Sequence, residues 1–184
     1  DAVIDGDLYD GGAGVDTFDV SAVVWAVDVT IDLSAGVLRT ATGSEQLLNF
    51  EYISGGNNKP SVIETLIGNA AANRIDGNGG NDSILGGGGN DTLLGGAGID
   101  TIMGGDDDDL IYGEMGYDLL RGQAGNDTLY GGAVRDRLFG GAQNDHLFGD
   151  AGNDILRGDG GADTIYGGAG NDRLVGGLGK DMLY

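Results

Sequence analysis

The chain has 184 residues, among them 40 glycines and no cysteine, with a formal net charge of −21. Without cysteine there is neither a disulfide framework nor a thiolate metal site, and no apolar run approaches the ~18 residues that span a bilayer. The charge disfavours nucleic acid and anionic membrane surfaces, which are themselves polyanions. Composition leaves two readings open: a solvated, disordered tail, or a binder of multivalent cations.

The sequence opens at Asp1 with no methionine or apolar leader and stops at Tyr184 inside a repetitive pattern, so it reads as a piece of a longer protein. Residues 1–19 end in one nine-residue unit, Gly11-Gly12-Ala13-Gly14-Val15-Asp16-Thr17-Phe18-Asp19, an isolated copy of a pattern that returns later. Residues 20–67 break the phase. There Val27, Val29, Ile31 and Leu33 alternate with Asp28, Thr30 and Asp32, which predicts a half-buried strand. Ser34-Ala35-Gly36 predicts a turn, Leu47 to Ile53 a second strand, and Gly55-Gly56-Asn57-Asn58-Lys59-Pro60 a loop. Glu64-Thr65-Leu66-Ile67 fits positions 6 to 9 of a degenerate repeat unit. This β-rich segment is expected to cap the end of the array and hide an open edge; a separate ligand-binding patch around Trp25 is the alternative.

Residues 68–184 form thirteen nine-residue units without insertion or deletion, such as Gly86-Gly87-Gly88-Gly89-Asn90-Asp91-Thr92-Leu93-Leu94. Position 1 is Gly in all thirteen, position 8 is Leu or Ile in all thirteen, and position 6 is Asp in twelve, Asn73 being the exception. Random acidic disorder does not keep phase over 117 residues. Glycines at positions 1, 2 and 4 permit φ > 0, so the first six residues are expected to form a tight turn. Positions 7 to 9 are expected to form one short strand with position 8 facing inward. A single unit cannot bury that side chain alone, so the units stack.

The aromatics give the coil period. Tyr112, Tyr130, Phe148, Tyr166 and Tyr184 recur every eighteen residues at position 9, while Met103, Arg121, Phe139, Arg157 and Val175 occupy the alternate units. Two units per coil place the first set in one ladder and the second on an opposing sheet. At about 4.8 Å per coil, six and a half coils make a roll about 31 Å long.

The same period stacks Asp91, Asp109, Asp127, Asp145, Asp163 and Asp181 along one edge, and Asp82, Asp100, Asp118, Asp136, Asp154 and Asp172 along the other. Adjacent carboxylates repel by ~1 kcal/mol per pair even in bulk water, and by more near a protein surface. Something positive has to lie between them. Carboxylates beside the carbonyls of glycine-rich turns are an all-oxygen ligand set of flexible geometry, which suits Ca²⁺ better than Mg²⁺ or zinc.

The unit G-G-x-G-x-D-x-U-x resembles the RTX, or hemolysin-type calcium-binding, repeat. The resemblance covers 68–184 closely and recurs at 11–19. It implies an all-β fold, a right-handed parallel β-roll with two strands per coil. It also implies a module of a Gram-negative, type I-secreted extracellular or cell-surface protein that is unfolded at low calcium and folds outside the cell. The family's position-6 carboxylate carries over to the twelve stacked aspartates and to Asp16. Position 4 departs from the pattern at Asp107, Val134 and Gln143. A β-branched residue resists φ > 0, so the Gly131–Asp136 and Gly140–Asp145 turns are expected to be weakened sites. The run Asp106-Asp107-Asp108-Asp109 is either an enriched site or extra solvated charge. Ten stacked pairs would hold six to ten ions, and ten would nearly cancel the net charge.

Catalysis has little support. The only histidine, His146, falls at position 7 of a strand, and no glycine loop leads into a helix. Two non-enzymatic roles stand beside calcium-driven folding. The aromatic ladder either docks a partner, as in an adhesive or surface-layer module, or merely stacks on itself. An ice- or polysaccharide-binding solenoid calls for a regular polar row, whereas position 7 mixes Thr101, Leu119, Arg137, Ile155 and Arg173. A secreted enzyme or toxin could lie upstream.

Overall fold

The computed structural model describes residues 8–10, 13, 16–19, 29–40, 43–48, 52–56 and 63–184. Before the array come β1 (Leu8–Asp10), β2 (Thr17–Asp19), β3 (Val29–Asp32), β4 (Val37–Thr40), β5 (Gly43–Leu48) and β6 (Tyr52–Ser54). The array holds β7 (Glu64–Ile67), β8 (Arg74–Asp76), β9 (Ser83–Gly87), β10 (Thr92–Gly98), β11 (Thr101–Asp106), β12 (Leu110–Gly116) and β13 (Leu119–Ala124). It continues with β14 (Thr128–Ala133), β15 (Arg137–Ala142), β16 (His146–Ala151), β17 (Ile155–Gly160), β18 (Thr164–Tyr166), β19 (Arg173–Leu178) and β20 (Met182–Leu183).

From β7 onward, odd strands pair in parallel with odd and even with even, always eighteen residues apart: Leu93 lies beside Ile111 and Ile102 beside Leu120. The result is an all-β solenoid of two facing parallel sheets, one of eleven strands and one of nine. Its two-strand coil is the period the aromatics set. Position 8 supplies the core. Ile75, Ile84, Leu93 and their successors through Ile165 are at most 1% exposed. Leu66 in β7, and Ile31 and Ile53 before the array, continue that column.

Three local expectations change. Strands β11 to β17 run six or seven residues, into position 3 of the following unit and, in β12, position 4, so the turn shrinks to the residues just before and at position 6. The segment expected as one strand over Leu47 to Ile53 divides between β5, in the eleven-stranded sheet, and β6, in the nine-stranded sheet. The reason is register: Ile53 pairs beside Ile75 and enters the core column. The strand around Ile31 is present as β3, and Asp32 holds the predicted turn by accepting from Ser34 Oγ at 2.6 Å and Ala35 N at 2.8 Å. That turn leads into β4, which pattern reading missed, and β3-β4-β5 form an antiparallel extension of the sheet beside β7. Trp25 and residues 57–60 of the expected loop lie outside the described residues.

The third change concerns glycine. Positive φ falls at positions 2 and 4, as at Gly96 (φ 99°) and Gly98 (φ 155°), whereas position 1 is absent from that region. Position 1 is glycine for lack of room. A Cβ on Gly95 would sit 2.6 Å from Asp100 Oδ2 and 2.9 Å from the Gly113 carbonyl oxygen. Position 2 glycines are as crowded, a Cβ on Gly132 standing 2.2 Å from the Glu114 carbonyl oxygen, yet the position accepts Asn78, Glu114, Gln123, Asp150 and Asp159 where φ falls to between 63° and 85°. Accordingly Gly131→Ala should cost about 1–3 kcal/mol by overpacking, read from thermal unfolding in saturating calcium.

Candidate metal centre

Each edge of the roll is a file of position-6 aspartates joined by one repeated hydrogen bond. The backbone N of one residue donates to Oδ1 of the aspartate one coil on: Asp82 to Asp100 at 2.7 Å, Asp100 to Asp118 at 2.8 Å, Asp118 to Asp136 at 2.8 Å and Asp136 to Asp154 at 2.8 Å. The other edge repeats it from Asp91 to Asp109 through Asp145 to Asp163, at 2.9 Å in each step. The bond fixes one oxygen of each carboxylate along the file. Asp172 and Asp181 accept from Asp154 and Asp163 in the same way but are only half-buried.

The second oxygen is the chemically informative one. Oδ2 of Asp82, Asp91, Asp100, Asp109, Asp118, Asp127, Asp136, Asp145, Asp154 and Asp163 is buried and has no hydrogen-bond partner. These ten residues are at most 3% exposed. An unpartnered buried carboxylate is among the costliest groups a fold can hold. Each Oδ2 turns toward its own position-1 glycine, where the carbonyl of the next coil also arrives. Around Gly131 these are Asp136 Oδ2 and the Gly149 oxygen, 2.8 and 2.9 Å from where a Cβ would stand. Burial accordingly pushes the carboxyls up. Asp82 rises to about 8, with Asp100 and Glu64 adding repulsion. Asp145 also rises to about 8, and Asp109, Asp118 and Asp136 to about 7. Asp91, Asp100 and Asp127 rise to about 6.

The expected departures sort themselves. Asp136 and Asp145 keep the burial and hydrogen bonds of their neighbours, although Val134 and Gln143 in their turns stand at φ 83° and 80°. The departure at these turns is one of backbone, at Val134 and Gln143; the carboxylates stay in file. Of the four-aspartate run, Asp109 joins the buried row while Asp106, Asp107 and Asp108 are exposed. Asp107 accepts from Gly89 N at 3.1 Å, and Asp108 accepts from Asn126 N at 2.7 Å. The latter bond holds the Asp108 carboxyl below the ordinary range. Asp16 lies in the frame of Asn73, because β2 pairs with β6 and β6 with β8, but β6 separates the two. Asn73 N donates to Asp91 Oδ1, while its own Oδ1 accepts from Asn69 N at 2.8 Å, so a neutral amide heads that edge.

Glu64 was legible only as a frame match. It is fully buried at the head of the Asp82 edge; its N donates to Asp82 Oδ1 at 3.3 Å, and its Oε2 accepts from Gly56 N at 2.8 Å. Position 5 carries a second ladder that pattern reading overlooked. Asn126 accepts from Asn144 N at 3.2 Å, Asn144 from Ala162 N at 2.7 Å, and Asn153 from Asn171 N at 2.9 Å. Recurrent Asn at position 5 was the available signal.

Tyr112, Tyr130, Phe148, Tyr166 and Tyr184 form one continuous stack, centroids 4.7 to 5.1 Å apart and planes within 12°. Each inner ring is thus covered on both faces by its neighbours. His146 is exposed on β16.

Among the described residues, no three acidic or imidazole side chains converge. An ion held at these edges therefore takes carbonyl oxygens beside one or two carboxylates, a hard all-oxygen set. A family model describing the RTX calcium-binding nonapeptide repeat, four copies at a time, matches residues 63–93, 85–120, 104–138, 121–156, 130–164 and 148–183. The chain belongs to the RTX calcium-binding repeat family. No curated protein matches it. RTX repeats are calcium-binding, and the bare Oδ2 atoms and glycine cradles of this chain fit that ion. No helix among the described residues is long and apolar enough to cross a membrane.

Two outcomes follow for the RTX roll. The carboxyls lie above their unfolded value when the fold holds no metal, so the folded state binds more protons than the unfolded chain between about pH 4 and 8. Metal-free stability is therefore greatest below the unfolded value and is lost as pH rises through 6 to 8. In EDTA, acidification from pH 8 toward pH 5 should raise the far-UV β-signal, and protons should compete with calcium over the same range. Val134→Gly should stabilise the calcium-loaded roll by about 1 kcal/mol, after glycine's own entropic cost. The thermal midpoint measures it.

Proposed function

We propose that this chain is a non-catalytic, calcium-driven folding module of a bacterial protein exported through type I machinery and active outside the cell. The observation that carries the reading is the row of ten buried, unpartnered Oδ2 atoms. In a calcium-poor cytosol these oxygens, and the −21 charge, oppose compaction and keep the chain extended for export. At extracellular calcium each pair of aspartates one coil apart binds an ion, and binding free energy becomes folding free energy. Coils contact only their neighbours, so ions and coils form together along the roll.

The residues assigned to calcium are Asp82, Asp91, Asp100, Asp109, Asp118, Asp127, Asp136, Asp145, Asp154, Asp163, Asp172 and Asp181, with position-1 carbonyls. The ten pairs these twelve make along two edges support six to ten ions. The absence of catalysis is inferred from the residues. The carboxylates repeat identically at each coil, and the single histidine stands exposed on β16.

In EDTA at pH 7.5 the far-UV spectrum should be that of a largely unfolded chain, with calcium restoring the β-spectrum cooperatively. A folded metal-free spectrum at that pH overturns the reading. Asp118→Asn with Asp136→Asn removes the charge of two adjacent links at constant shape. The variant should bind fewer ions in calorimetry and need several-fold more calcium to fold; an unchanged ion count would place the sites elsewhere.

A further inference from the structure

The edge that carries Asp82 does not begin at Asp82. One coil earlier stands Glu64, fully buried, whose backbone N donates to Asp82 Oδ1 at 3.3 Å, the same link that joins Asp82 to Asp100. The repeat pattern places no site here, because the five residues before Glu64 are Lys59-Pro60-Ser61-Val62-Ile63, with no glycine among them. The structure supplies the cradle from farther up the chain. Gly55 lies nine residues before Glu64, where the repeat keeps position 1 five residues before position 6. It is buried, and its N donates to the Asp76 carbonyl at 2.7 Å. Gly77 makes the same bond to Leu94 at 2.9 Å, so Gly55 stands where position 1 would stand.

The oxygens agree with that placement. A Cβ on Gly55 would meet Glu64 Oε2 at 2.5 Å and the Gly77 carbonyl oxygen at 2.9 Å. A Cβ on Gly77 would meet the Gly95 carbonyl oxygen at 2.5 Å and Asp82 Oδ2 at 2.8 Å. Carboxylate and next-coil carbonyl thus converge at Gly55 as they do at Gly77. Asp82 Oδ2 is buried without a hydrogen-bond partner, and repulsion reaches Asp82 from both neighbours in the file, Asp100 and Glu64. The other edge shows what hydrogen bonding alone requires at this place. There Asn73 Oδ1 accepts from the position-2 N of Asn69 at 2.8 Å, as Glu64 Oε2 accepts from Gly56 N at 2.8 Å. A neutral amide suffices for that bond. Glu64 makes it and also brings a buried negative charge one coil from Asp82, a cost that a cation between the two offsets.

We propose that Glu64, Asp82 and the Gly77 carbonyl hold a calcium ion at the head of this edge, outside the twelve-aspartate set, and that this ion clasps the segment before the array to the roll. The proposal rests on the calcium reading above. Two carboxylates and a carbonyl are the hard oxygen set of the coils below, and Asp82 then serves two ions, as each inner aspartate of the file does. Asn78 ends the row. Its Nδ2 donates to Gly55 O at 2.9 Å and Ser54 Oγ at 3.1 Å, so a side chain takes the carbonyl that would serve a further ion. Because Glu64 is bonded to Gly56, just after β6, an ion on Glu64 fixes β6 against the first coil and extends the calcium-folded unit beyond the regular repeats.

The test counts bound calcium by equilibrium dialysis of the whole chain and follows exchange of the Gly55 and Gly56 amides by NMR. Glu64→Gln keeps the acceptor for Gly56 and removes the charge. It should bind one calcium fewer than the parent chain, and Gly56 should lose most of its calcium-induced protection while the Leu129 and Leu147 amides keep theirs. Asn73→Asp makes the reverse change on the other edge and should bind one calcium more. Circular dichroism in calcium verifies that both variants fold. An unchanged count in Glu64→Gln, or loss of protection spread evenly along the array, overturns the proposal; if that variant fails to fold, an unchanged count in Asn73→Asp does so. A parent chain that takes up no calcium defeats the folding reading as well, which tells the two failures apart.

Discussion

The structure turns on a carboxylate held by one oxygen. Each position-6 aspartate spends Oδ1 on the backbone N–H of the coil before it and buries Oδ2 against a glycine, facing the carbonyl of the coil after it. The first interaction is an ordinary charge-assisted hydrogen bond, and it locks coil to coil. The second is a deficit, because an ionised oxygen removed from water without a donor is strongly unfavourable. A divalent ion reverses its sign. The proposed coupling of metal to folding rests on that one atom.

That deficit explains the sequence economy of the repeat. Position 1 cannot carry a Cβ, because carboxylate and carbonyl oxygens already occupy the space, and it is glycine in every unit of the array. Positions 2 and 4 face a dihedral demand, which Asn, Asp, Glu and Gln meet at modest cost and Val134 at greater cost. The turn thus needs few chemical instructions beyond one acid, one missing side chain and one inward aliphatic.

Stacking at a fixed interval also converts any side chain into a row. Aromatic residues become a continuous stack, and asparagines at position 5 become a capping ladder. The eighteen-residue period makes each pattern geometric, so that faces differ by which residues sit at which phase. The acidic edges and the aromatic sheet are surfaces written on one scaffold.

Composition, phase and residue type determined the solenoid, its two-strand coil, the inward aliphatic column and both aspartate files, because a repeat without insertions keeps its units in phase and the eighteen-residue recurrence of the aromatics sets two units per coil. The tertiary structure alone decided how long each strand runs, why position 1 is glycine and which carboxylate oxygen is bare. These depend on distances between coils, which no single unit contains. Before the array the repeat lapses, and sequence reading weakened with it: β4 was missed, β5 and β6 were merged, and Glu64 was recognised only by frame. There the deciding constraint was the register of Ile53 and Leu66 against the core column, a contact between residues distant in the chain.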